Sequence, residues 1–183
     1  MNTMRILSAV LLIVAGLAHT ATAQVPATGS AGTIDDLSQH FVIQDGAYKP
    51  RDVRVGQLCC EYFLYFLTDT AGQATQLLLH VQYCADDPLR YREVAFIIGG
   101  EMYHIKTRQP GLKRFKRRYY MEVSDTPLDS GDTPLLDALL AGDEVTVRLT
   151  GADGMGHVMR LEPRQCININ RAIKLFRLLG GML

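Results

Sequence analysis

The sequence after residue 40 is a succession of short apolar runs separated by turn residues, and this pattern constrains the fold more than any other feature. The runs of strand length cover 41–43, 58–67, 76–84, 94–98, 102–105, 115–123, 144–150 and 157–161. Gly99 and Gly100 join two of these runs, and such a tight connection needs positive φ at its centre, which glycine adopts without steric cost. The pattern predicts a series of antiparallel hairpins rather than strands that alternate with helices.

Two segments have helical signals instead. Segment 133–142 has Thr133 at the N-cap, Pro134 at the first helical position and Gly142 just after its end. Segment 168–181 is amphipathic, and its apolar face consists of Ile169, Ala172, Ile173, Phe176 and Leu179. We therefore expect a mainly β fold, either an antiparallel sandwich or a partly open barrel, with one short helix and a C-terminal helix packed on the sheet.

The N-terminal residues have the three-part pattern of a secretory signal peptide. Arg5 precedes an apolar run over 6–18, and the small residues Ala21 and Ala23 follow it. The apolar run is shorter than the roughly 20 residues that a membrane-spanning helix needs. We expect residues 1–23 to be a cleaved signal peptide and the mature protein to be secreted or periplasmic.

The remaining sequence has the organisation of one domain. Residues 24–33 are small and polar and predict a flexible leader, whereas residues 34–183 have the length of a single β-rich domain with its C-terminal helix. The chain contains 19 basic and 19 acidic side chains. Because nucleic-acid-binding domains usually have a basic excess, this balance argues against nucleic acid as a partner.

Four cysteines, Cys59, Cys60, Cys84 and Cys166, remain after the expected cleavage. An even number of cysteines in an exported chain predicts disulfides. If the runs on either side of 69–72 form a hairpin, one register places Cys59 opposite Cys84, and the register shifted by one places Cys60 there. We predict a bond from Cys84 to one of the adjacent pair, with Cys60 preferred. The remaining cysteine, Cys59, would then bond to Cys166.

Basic and aromatic residues are interleaved in segment 112–123, with the sequence LKRFKRRYYMEV. On an extended strand Arg114, Lys116, Arg118 and Tyr120 would share one face. Such a face suits an anionic glycan, lipid headgroup or protein partner, although charges on an edge strand also protect it against aggregation. The candidate binding residues are Lys113, Arg114, Lys116, Arg118 and Tyr120.

Candidate metal ligands lack the spacing of known sites. His80 and Cys84 would share a strand face, and His104 could join them, but no zinc-type pair of ligands is present. The acidic cluster in segment 125–132 matches no calcium loop, and turns favour aspartate for conformational reasons. We expect no metal site and no cofactor.

No catalytic motif such as Gly-x-Ser-x-Gly or His-Glu-x-x-His occurs. The sequence therefore favours an exported, non-enzymatic binding or accessory domain that contacts an anionic partner through the basic segment. One alternative is a small secreted hydrolase, which a deep pocket lined by His80, His104 or the acidic cluster would favour. The other is a structural subunit of a cell-envelope assembly that pairs through a sheet edge.

Overall fold

The computed structural model of the chain describes residues 32–115, 118–142 and 144–183, and the residues from Gly32 to Leu183 form one compact unit. The predicted signal peptide and leader residues 24–31 lie outside the described residues. The described strands are β1 (Phe41–Gln44), β2 (Ala47–Pro50), β3 (Glu61–Thr68), β4 (Ala74–Ala85), β5 (Tyr91–Ile98), β6 (Glu101–Lys106), β7 (Gly111–Phe115), β8 (Tyr119–Pro127), β9 (Val145–Gly151) and β10 (Gly156–Arg160). The helices are α1 (Ile34–Ser38), α2 (Thr133–Ala141) and α3 (Pro163–Leu178), and a 3-10 turn, Ser130–Asp132, precedes α2.

The strands form two antiparallel sheets that pack together without closing into a barrel. The larger sheet has six strands in the order β1-β2-β3-β4-β8-β7, and the smaller has four in the order β10-β9-β5-β6. The predicted fold, an antiparallel sandwich with one short helix and a C-terminal helix, is confirmed. The hairpin at Gly99 and Gly100 is also confirmed, since these two residues have φ of 58° and 87° between the paired strands β5 and β6.

The core lies between the two sheets and α3. Alternate side chains of the central strands enter it because successive residues of a strand point to opposite faces. Its strand residues include Tyr62, Leu64, Phe66, Leu77, Leu79, Val81, Val94, Phe96, Val145, Val147 and Leu149. The predicted apolar face of α3 joins this core, with Ile169, Ala172, Ile173 and Phe176 buried and Leu179 partly buried.

Helix α3 is connected to the larger sheet at both ends. At its start, Arg164 forms an ion pair with Glu61, the first residue of β3. At its end, the carbonyl of Leu179 accepts a hydrogen bond of 3.0 Å from the backbone N–H of Ala74, the first residue of β4. Gly180 then has φ of 80°, which confirms the predicted glycine termination of the helix.

The structure differs from the sequence predictions at the start of α2 and at strand β2. Thr133 was predicted as the N-cap of α2, but Asp132 occupies that position, because the 3-10 turn continues directly into the helix and the Thr133 hydroxyl donates to the carbonyl of Ser130. Strand β2 was not predicted. Its four residues follow the turn at Asp45 and Gly46 and end in a proline, so they contain too few apolar side chains to show alternation.

Candidate functional site

The basic segment folds back on itself at the edge of the larger sheet. Strands β7 and β8 pair so that Phe115 lies opposite Tyr119 and Arg114 lies opposite Tyr120. The prediction of one continuous strand over 115–123 is therefore wrong. The alternation of residue types could not reveal this reversal. Residues paired across the hairpin, such as Phe115 and Tyr119, are an even number of positions apart. Residues an even number of positions apart also share a face on one continuous strand, so both arrangements give the same pattern. We call residues 111–123 the basic hairpin.

The structure places four of the five candidate binding residues on this hairpin. Lys113 and Arg114 are exposed on β7, and Tyr120 is half-buried on β8 opposite Arg114. Arg118 lies in the connection, where its guanidinium is 3.4 Å from a carboxylate oxygen of Asp86. Lys116 lies outside the described residues. Arg114 and Tyr120 thus share a face through strand pairing, whereas Arg118 is not on a strand.

A cleft opens beside the first half of β7, between the two sheets. Its volume is about 380 Å³, and we call it the edge cleft. Its lining consists of Arg90, Tyr91, Arg92, Gln109, Pro110, Leu112, Glu122 and Ala152. The sequence does not predict this site, because the apolar run that corresponds to β5 covers only 94–98 and leaves out the two arginines. The sequence feature that could have indicated the cleft is the pair Arg90 and Arg92, one on either side of Tyr91.

Glu122 is a fully buried carboxylate at the edge cleft. Its oxygens accept hydrogen bonds from the backbone N–H of Arg90 at 2.6 Å and of Leu89 at 3.1 Å. Burial raises the pKa of Glu122, and the two backbone hydrogen bonds and the charge of Arg90 act in the opposite direction. Glu122 therefore holds the chain in place just before β5.

The segment before β3 departs from the predicted strand 58–67, which begins only at Glu61. Residues 54–60 instead form a loop around the side chain of Gln82, and we call them the cysteine loop. The Gln82 amide accepts from the N–H of Gly56 at 2.7 Å and donates to the carbonyls of Cys59 at 2.9 Å and Gln57 at 3.1 Å. A single buried amide thus fixes a loop that has no regular secondary structure.

All four cysteines are free thiols in the structure, so neither predicted disulfide is formed in it. The β3–β4 register pairs Glu61 with Gln82 and begins after both cysteines of the loop, so neither faces Cys84 across the sheet. The Cys60 Sγ nevertheless lies 3.9 Å from the carbonyl oxygen of Cys84. Cys166 lies on the first turn of α3 and packs against the core.

Burial raises the pKa of all four thiols above the ordinary value, which disfavours the reactive thiolate. Cys60 Sγ nevertheless lies beside the backbone of Cys84, whereas Cys166 packs against the core, so we expect an added oxidant to bond Cys84 to one thiol of the cysteine loop and to leave Cys166 free. Intact mass after alkylation, with and without reduction, measures this. The variant Cys84→Ser should then keep all its thiols and Cys166→Ser should still lose two. A bond to Cys166 in the Cys84→Ser variant would contradict the expectation.

Among the residues considered for metal binding, the fold brings His80 into contact with Asp125, a member of the acidic cluster. His80 is buried on β4, where its Nδ1 lies 2.9 Å from a carboxylate oxygen of Asp125 and its ring stacks on Phe63 at 4.4 Å. Asp129 and Asp132 instead cap the 3-10 turn through reciprocal hydrogen bonds with the backbone. Within residues 32–115, 118–142 and 144–183, no group of three His, Cys, Asp or Glu side chains could hold a metal ion.

The hydrolase alternative requires a pocket lined by His80, His104 or the acidic cluster. Besides the edge cleft, a cavity of about 480 Å³ lies against β1 and β2. Neither cavity is lined by His80, His104 or the acidic cluster. His104 is exposed on β6, where its Nδ1 lies 3.0 Å from Glu93. These two cavities therefore provide no support for a hydrolytic site at the residues that the sequence singled out.

Comparison with known proteins gives distant structural likenesses. No protein-family model matches the chain, and no curated protein matches it. A human pre-T cell receptor structure is similar at 16% identity and a TM-score of 0.29, over 55% of this chain and 99% of that one. Invasion associated protein B from Bartonella henselae is similar at 14% identity and a TM-score of 0.30, over 65% of this chain and 92% of that one. Likenesses at this level carry no argument about function.

The described residues contain the helices α1, α2 and α3. None of them combines the length and the apolar character that a membrane-spanning helix requires.

Proposed function

We propose that the protein is an exported binding or accessory domain that contacts an anionic partner through the basic hairpin. The observation that supports this proposal is the position of the hairpin, since β7 is an edge strand and carries the exposed side chains of Lys113 and Arg114. A cationic edge attracts anionic polymers and surfaces, and it also discourages pairing with another copy of the strand.

Aromatic side chains of the hairpin lie beside its basic side chains. The Arg118 guanidinium lies 5.6 Å from the centroid of the Tyr119 ring, within the range of a cation–π contact. Tyr120 is half-buried opposite Arg114. A partner with both anionic groups and apolar surface, such as a sulfated glycan, would contact the charged and the aromatic side chains together.

The test compares two charge-matched triple variants on an immobilised sulfated glycan at increasing NaCl concentration. The hairpin variant carries Lys113→Gln, Arg114→Gln and Arg118→Gln. The control variant carries substitutions by glutamine at three exposed basic residues on other elements, namely Lys49 on β2, Arg148 on β9 and Lys174 on α3. A basic side chain near an anionic surface contributes roughly 1 kcal/mol, so the hairpin variant should bind about 100-fold more weakly.

The salt dependence of binding provides a second measurement. Replacing contacting charges should reduce the slope of log affinity against log salt concentration, because fewer counterions are released. Wild-type affinity in the hairpin variant, or an equal loss in the control variant, would contradict the proposal. Vesicles that contain anionic lipid, assayed in parallel, show whether a lipid surface replaces the glycan as partner.

A further inference from the structure

We propose that the edge cleft binds a small organic anion through a compact oxyanion group, a phosphate or a carboxylate. This inference goes beyond the proposed function, because the ligand is a small molecule and the site lies between the sheets rather than on the exposed face of the hairpin. The cleft volume of about 380 Å³ falls at the lower end of the range for small-molecule pockets.

The positive charge at the cleft comes from two arginines of its lining. Arg90 and Arg92 both line the cleft, and both are exposed. Within the described part of the chain, the Arg92 guanidinium has no ion-pair partner. A guanidinium offers a planar set of donors that matches phosphate and carboxylate oxygens in pairs. Two such groups at one cleft therefore favour an anion with several oxygens.

The negative charge of Glu122 does not cancel this preference. Two guanidinium groups outnumber this single carboxylate, whose oxygens accept backbone N–H groups at 2.6 Å and 3.1 Å. The same hydrogen bonds accompany a left-handed backbone at Arg90, where φ is 51°. A non-glycine residue adopts this conformation at a cost in free energy, and such residues occur preferentially at binding sites. Glu122 thus positions Arg90 at the cleft.

The other walls indicate the character of the rest of the ligand. Leu112 is 47% exposed, and it lines the cleft together with Pro110 and the buried Tyr91. Gln109 is an exposed lining residue whose amide can both donate and accept hydrogen bonds. The apolar walls suit the C–H faces of a compact sugar ring, and the Gln109 amide suits its hydroxyl groups. A charged monosaccharide is the ligand class that combines such a ring with an oxyanion.

The experiment titrates the whole mature protein with three monosaccharides and follows binding by calorimetry and by backbone amide chemical shifts. Glucose 6-phosphate and glucuronate carry the two oxyanion types, and glucose is the neutral control. We expect saturable binding of at least one charged sugar with a Kd of about 1 mM or below, with shifts at the amides of Leu89 and Arg90. Glucose should not bind. The charged sugar that binds identifies phosphate or carboxylate as the recognised group.

Variants locate the site and separate this inference from the proposed function. Arg92→Gln should weaken binding of the charged sugar at least tenfold, Arg90→Gln should do the same, and Lys174→Gln, on the exposed face of α3, should leave it unchanged. The hairpin triple variant should keep the monosaccharide affinity even where it loses the sulfated glycan. The proposal is overturned if neither charged sugar saturates, if glucose binds equally well, or if Arg92→Gln has no effect. Loss of sulfated-glycan binding with unchanged monosaccharide binding would concern only the proposed function of the basic hairpin.

Discussion

Replacing Phe66 by alanine is expected to lower the free energy of unfolding by about 4 kcal/mol. Phe66 on β3 is fully buried. Its ring stacks on Tyr48 at a centroid distance of 4.8 Å and meets the edge of Phe176 at 5.8 Å, with Phe41 at 6.1 Å. Truncation removes contacts with β1, β2 and α3 together and leaves a cavity that the surrounding rings cannot fill.

Equilibrium unfolding in urea, monitored by circular dichroism, measures this loss. The control is Val158→Ala on the edge strand β10, where the side chain is 58% exposed and the change should be below about 0.5 kcal/mol. A loss below about 2 kcal/mol for Phe66→Ala would mean that the aromatic cluster rearranges to fill the space, contrary to the close packing of Phe66 against Tyr48 and Phe176.

Replacing Glu61 by glutamine is expected to cost about 3 kcal/mol. The Glu61 carboxylate is fully buried, and both of its oxygens lie 2.9 Å from a guanidinium nitrogen of Arg164. Arg54 is a second partner at 3.3 Å and also pairs with the exposed Glu162 at 2.7 Å. Removal of the central charge leaves the two guanidinium groups to share one exposed carboxylate, that of Glu162, which lies 2.7 Å from Arg54 and 3.6 Å from the largely enclosed Arg164.

The matched control for this substitution is Glu144→Gln. Glu144 forms an ion pair of 2.6 Å with Arg160, but both side chains are mostly exposed, and such surface pairs contribute about 1 kcal/mol or less. Urea unfolding of both variants therefore separates buried from exposed ion pairs that involve the same residue types. Equal losses in the two variants would show that the Glu61 network adds no more than a surface pair.

The two substitutions also show which parts of the structure a sequence can reveal. Phe66 lies in a continuous run of apolar residues that turn residues follow, and such short runs predicted the sandwich because they are a local property of the sequence. The role of Glu61 could not be predicted, because its partner Arg164 is 103 positions away in the sequence. A single charged residue at the start of an apolar run gives no indication of burial.

The candidate sites also differ in how far the sequence could predict them. The basic hairpin was visible because its charges are contiguous in the sequence, although the reversal between Phe115 and Tyr119 was not. The edge cleft combines Arg90 with Glu122, 32 positions apart, and only the assembled sheets bring the two together. The cysteine loop could not be predicted either, because its shape depends on the buried amide of Gln82 on the neighbouring strand.

The two connections of α3 to the sheet have a consequence for how the protein opens. One connection reaches the start of β3 and the other the start of β4, and these two strands form one hairpin. The helix cannot detach at either end without breaking a contact with that hairpin, so the two elements constitute a single cooperative unit. Amide protons along α3 should therefore exchange with solvent as slowly as those of the central strands, and removal of the last residues would disturb the sheet as well as the helix.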